Sequence, residues 1–184
     1  MSEPDCSLEG EVFKLMTSCL EDVTVELFSA YDLPVAPVGR EFAPHIATSE
    51  RSSVAIIGFG GNGVRGALLL FATNASIERW MAAFGAGPGE ESDTLGEFSN
   101  MLLGRLKGRL LSENLTLLLS TPTTTSGNAL QLSSPQGQSS SQVFAGADWS
   151  VMTRLDASFD SGFTLEASHA PVEGVAEAGD AMLF

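Results

Sequence analysis

The chain has 184 residues, 43% of them hydrophobic, and carries 23 acidic against 9 basic side chains for a formal charge of −14. That length is enough for one domain with a proper core and short for two. The acidity disfavours nucleic acid and anionic membranes, both of which reward clustered Lys and Arg, and points instead to another protein as partner.

In chain order, residues 7–20 place Leu8, Val12, Leu15, Met16 and Cys19 at helical spacing, with Ser7 as cap. Cys6 and Cys19 have neither CxxC nor Cys/His ligand spacing, so they read as a terminal thiol and a small buried group in a reducing cytoplasm. No apolar run is long enough for a membrane span, and the acidic amino terminus is unlike a signal peptide, so a cytoplasmic location is expected. Residues 24–28 alternate like a short strand, and Pro34, Pro37 and Pro44 punctuate the loop after it. Residues 53–59 and 64–73 read as a hairpin joined at Asn62-Gly63, a pair suited to the positive φ angles of a type I′ turn. Asn74 is the expected cap of a helix over 75–84, with Ile77, Trp80, Met81 and Phe84 on its apolar face. A GAGPGE linker leads to a long helix over 93–110.

Beyond it, residues 115–119 read as a buried strand closed by Pro122. The uncharged Ser/Thr/Gly/Gln stretch 121–142 suits an edge strand broken by a flexible loop at SSPQGQSSS. Strands are expected over 142–147 and 150–159, then a turn at Asp160-Ser161-Gly162 into a third run, 163–167. The expected class is α+β, a largely antiparallel sheet with helices packed on one face. It forms a single domain over 1–169, followed by an acidic tail, 170–184, expected to be disordered.

Familiar catalytic patterns are weak here. GFGGNG at 58–63 satisfies GxGxxG but opens no helix, so the phosphate-cradling geometry is missing. His45 and His169 stand apart from other ligand-type residues, and no GxSxG elbow exists. The helix over 93–110 is more informative. At about 100° per residue, Asp93, Glu97, Asn100 and Gly104 fall within about 60° of one another, with Leu95, Phe98, Leu102 and Leu106 opposite. Gly104 and Gly108 each cost about 1 kcal/mol against alanine in a helix interior, and so call for an explanation. A structural alternative is open: Thr94-x-x-Glu97 is also a capping box, which would leave Asn100 as a solvated surface residue. A start at Ser92 or Asp93, with Glu90 and Glu91 favouring the positive end, would free Glu97. Arg105, Lys107 and Arg109 complement the carboxyl-end dipole.

The pattern resembles the CheC/CheX/FliY family of response-regulator phosphatases. Their signature is Asp or Ser, three residues, Glu, two residues, Asn, then a proline just over twenty residues on. Here Asp93, Glu97, Asn100 and Pro122 match, the proline one residue earlier than usual. A second copy is missing, since Glu11 is followed three residues later by Lys14, and a single motif is similar to the CheX-like branch.

The resemblance implies an enzyme acting on the aspartyl phosphate of a CheY-like receiver domain. Asn100 would orient the attacking water and Glu97 would pair with the receiver's lysine. Asp93 and Gly104 would lie in the binding surface, Gly104 admitting the receiver backbone. It implies no cofactor held by this chain, the Mg²⁺ arriving with the receiver, and a homodimer joined through its sheets. A non-hydrolysing adaptor is the alternative, disfavoured by the presence of Asn100; a flagellar-switch module is disfavoured by the lack of a second domain.

Overall fold

A computed structural model describes residues 7–38, 51–128, 130 and 137–165. Cys6, Pro44, both histidines, residues 133–136 of the Ser-rich stretch and the acidic tail lie outside the described residues, while residues 138–141 of the expected loop are strand and not loop.

The first helix, α1 (Leu8–Ser29), opens on Ser7, whose Oγ accepts from the Gly10 amide at 3.2 Å. It does not stop near Leu20, and the strand expected over 24–28 is its last two turns. Leu20, Val23, Thr24, Leu27 and Phe28 are all buried, a helical spacing that five alternating residues cannot distinguish from a strand. Thr24 Oγ1 donates to the Leu20 carbonyl at 2.6 Å, so its hydroxyl is satisfied inside the helix. Burial pushes the half-buried Cys19 thiol above its ordinary pKa, as befits a packing group.

After β1 (Ala36–Val38), the chain forms the expected hairpin from β2 (Arg51–Gly61) and β3 (Val64–Thr73). Asn62 and Gly63 take φ of 48° and 73°, and Gly61 pairs with Val64 across the turn. Helix α2 (Asn74–Phe84) is capped one residue earlier than expected. Thr73 supplies the oxygen, accepting from the Ser76 amide at 3.3 Å, while Asn74 is the first helical residue. Helix α3 (Glu91–Ser112) follows.

The strand expected over 115–119 shrinks to β4 (Leu118–Leu119), which meets β2 only at Gly60 and Phe59. Leu115 and Leu117 are buried, but as apolar plugs beneath the sheet and not as ladder members. The remaining strands are β5 (Thr123–Asn128), β6 (Gln138–Ala145) and β7 (Ser150–Phe159). The turn at Asp160 is present, with the Phe163 amide donating to the Asp160 carbonyl at 3.0 Å. No strand follows at 163–165, because Phe163 folds back onto Phe159 with ring centroids 4.9 Å apart.

The described sheet runs β1-β6-β7-β3-β2-β4, with β5 also on β2, and every pairing is antiparallel. Its register sends Ala55, Ile57, Leu68, Leu70 and Leu155 to one face, where they share a core with all three helices. Val54, Leu69, Phe71 and Met152 form a separate apolar cluster on the other face. The fold is thus α+β with its helices on one face of an antiparallel sheet. No helix among the described residues is long and apolar enough to cross a membrane.

Candidate functional site

The two readings of α3 are separated by where it begins. Its amino-terminal cap is Glu90, which makes no side-chain cap bond. The Glu90 and Glu91 carboxylates instead turn back to accept from the Gly87 and Gly89 amides at 2.8 and 3.3 Å, tying down the GAGPGE linker. Ser92 and Asp93 do not cap either; Ser92 Oγ bonds Thr124 Oγ1 on β5. Thr94 lies inside the helix, buried, with its amide already donating to the Glu90 carbonyl at 2.9 Å. No capping box forms at Thr94, and Glu97 is not consumed by the helix start.

The inward face of α3 is the centre of the core. Leu95, Phe98, Leu102 and Leu106 are fully buried. Phe98 meets Trp80, Phe84, Phe28 and Tyr31 with centroid separations of 4.8, 4.7, 5.1 and 5.7 Å. Trp80 is fully buried here and Trp149 packs at its margin, so both tryptophans serve packing.

The outward face carries Asp93, Glu97, Asn100, Gly104 and Gly108, all exposed. The Glu97 and Asn100 side chains have no hydrogen bond or ion pair among the described residues. Pro122, distant in sequence, comes alongside: a Cβ built on Gly96 would lie 3.8 Å from both Pro122 Cγ and Thr124 Cγ2. The β4–β5 connection thus sits at ordinary van der Waals distance from position 96, beside Glu97. The contact, like the Ser92–Thr124 bond, joins segments whose proximity nothing in the local sequence pattern reveals. At Gly104 and Gly108 the opposite holds, since an added Cβ would meet nothing within 4 Å. Nothing among the described residues needs those two glycines. Gly104→Ala is therefore expected to stabilise the free protein by about 1 kcal/mol, read as a higher thermal midpoint.

Further along, Arg109 pairs with Asp22 at 3.1 Å and with Glu26, bracing α3 on α1. Among the described residues no group of His, Cys, Asp or Glu is placed to hold a metal ion. What remains is a free carboxylate and a free carboxamide, one helical turn apart on a convex surface. Such a pair can orient, bond and anchor groups that a second body brings to it.

Residues 53–145 match the family model described as chemotaxis phosphatase CheX, a span that contains the whole of α3 and Pro122. The chain belongs to the CheX family. Solved structures share the fold. A CheC-like superfamily protein of Shewanella sp. PV-4 superposes with a TM-score of 0.67 at 19% identity, covering 78% of this chain and 97% of that one. Chemotaxis protein CheX of Vibrio vulnificus gives 0.63 at 20% identity over 83% and 99%. A chain of the CheX–CheY–BeF3–Mg²⁺ complex of Borrelia burgdorferi gives 0.58 at 12% identity over 77% and 97%. No sequence among curated proteins matches this chain.

Proposed function

We propose that this protein hydrolyses the aspartyl phosphate of a CheY-like receiver domain. The observation that carries the reading is the state of Glu97 and Asn100. Both are exposed and without a hydrogen bond or ion pair among the described residues, on the outward face of a helix whose inward face is held by the fully buried Phe98. Membership of a family of chemotaxis phosphatases supports it.

An acyl phosphate is already activated, and a receiver supplies its own Mg²⁺ and lysine, so the main requirement is a water held in line with phosphorus. Asn100 offers both a donor and an acceptor but no useful base, so it orients that water without deprotonating it. The P–O bond to the aspartyl carboxylate breaks, leaving free aspartate, and both water protons end on inorganic phosphate. Glu97 pairs with the receiver lysine and sets the register of α3 over the phosphoryl group. Asp93 sits one turn earlier on the same stripe at the rim of the contact, and Gly104 lets the receiver backbone approach. The chain holds no cofactor of its own in this scheme, the metal arriving with the receiver, and the reaction takes place in the cytoplasm.

The test is the phosphoryl lifetime on candidate receiver domains with and without the protein. A shortened lifetime is expected; binding with an unchanged lifetime would make the protein an adaptor instead.

The working unit in this reading is a homodimer, formed by the single domain over 1–169. Among the described residues, β6 is paired by β1 only at Val143–Ala145, and the outer edge of β5 is unpaired. Neither strand contains a charged residue to discourage edge-to-edge pairing. A symmetric pairing through such an edge leaves both α3 faces open. Light scattering should give twice the 19.3 kDa chain mass, and a mass of one chain across a wide concentration range would exclude the dimer.

A further inference from the structure

The basic half of α3 is only partly explained by the fold. Arg109 is engaged with Asp22 and Glu26, but Arg105 and Lys107 make no ion pair among the described residues. Neither has a carboxylate three or four residues away, and Arg105 stands at the like-charge spacing from Arg109. Dipole complementation, expected from the sequence for all three cations, accounts only for Arg109, the basic residue of the last turn, because it fades before reaching the other two. In a chain of charge −14, two cations are thus held on one helix with no ion-pair partner among the described residues.

Their placement is specific. On a helical projection Arg105 and Lys107 flank Gly104 and Gly108 from either side, each about 80° from the direction of Glu97. Leu111 falls within about 40° of Glu97, on the same outward face. It is 55% exposed, and among the described residues only Leu118 is a more open large apolar side chain. At 1.5 Å per residue Leu111 lies about 21 Å beyond Glu97 along the axis. A domain of about 100 residues has a radius of gyration of about 13 Å and so an outer radius of about 17 Å, which lets one centred over Asn100, about 16 Å from Leu111 along the axis, just reach Leu111.

We propose that Arg105, Lys107 and Leu111 form a second contact on the receiver domain, against a face that carries carboxylates around an apolar side chain. This rests on the phosphatase reading. The occupant follows from continuity and charge: along α3 the exposed Asp93 and Glu97 are followed by exposed Arg105 and half-buried Lys107 on the two flanks of the outward face, so its partner must present a cation first and anions beyond. One rigid helix then grips its substrate at two points of opposite sign, which sets orientation and selects among receivers.

The experiment compares wild type with the Arg105→Glu/Lys107→Glu double variant and with Leu111→Gln. It uses a receiver activated by beryllofluoride and Mg²⁺ for binding, and the phosphorylated receiver for kinetics. The double variant is expected to raise KM and Kd about tenfold, keep kcat within about twofold, and flatten the salt dependence of KM. Leu111→Gln should raise KM severalfold without changing that salt dependence. The Arg105→Lys/Lys107→Arg swap should restore binding, and matching thermal melts confirm folding. Unchanged KM and Kd, or a fall in kcat alone, overturns the second contact while leaving the phosphatase reading intact. Loss of self-association as the main effect overturns it in favour of a second copy of this chain. A wild type that neither binds nor dephosphorylates any receiver refutes the phosphatase reading, and this contact with it.

Discussion

Asn100→Ala is expected to slow catalysed dephosphorylation of the receiver by about 100-fold or more, leaving binding within a few-fold of wild type. Loss of a water-orienting group carries that magnitude because a small misplacement of the nucleophile from the line of attack removes most of the advantage of positioning. Asn100 has no partner among the described residues to lose, so its removal should shift stability by no more than about 0.5 kcal/mol. Glu97→Ala is the complement: if Glu97 grips the receiver lysine, its loss appears chiefly in binding. Single-turnover kinetics at saturating enzyme separate the two. Undiminished turnover in Asn100→Ala would remove the mechanism.

Phe98→Ala is expected to cost about 3–5 kcal/mol, the range for deleting a fully buried aromatic ring, which is a large share of the stability of a domain this size. The ring touches both other helices, through Phe28 on α1 and Trp80 and Phe84 on α2, and also Tyr31 in the turn just after α1. A cavity there loosens the seating of α3 as well as the core. Urea denaturation should show the midpoint collapse in this variant and stay near wild type in Asn100→Ala. Near-equal midpoints would mean that the core closes over the missing ring.

Periodicity was sufficient for the two faces of α3, because an amphipathic helix more than five turns long repeats its signal until no other reading fits. The hairpin was legible from Asn62-Gly63 for a different reason: few residues adopt positive φ cheaply, so the turn declares itself. Residues 24–28 misled because five residues are too few to separate period 2 from period 3.6, and Thr and Val weighted the choice toward strand. Residues 115–119 misled because an apolar run records burial but not hydrogen bonding. Leu118 is 71% exposed while Leu117 is buried. At the site, the residues on the stripe could be named from spacing, but whether Glu97 was free depended on where the helix starts. That was settled by Glu90, Glu91 and Ser92 bonding outside the helix, to the linker and to β5. The proximity of Gly96 to Pro122 is a tertiary fact that needed the sheet to bring it about.

The division of α3 into a buried inner face and an unencumbered outer one has a genetic corollary. A lesion at Asn100 would leave a well-folded polypeptide that cellular quality control has no cause to degrade, since proteolysis samples the unfolded fraction. On the proposed function, such a copy would persist at normal abundance, still occupy phosphorylated receivers, and shield them from the unaltered protein. Inherited beside a working allele it should act dominantly, prolonging the signal. A lesion at Phe98 would merely lower the dose.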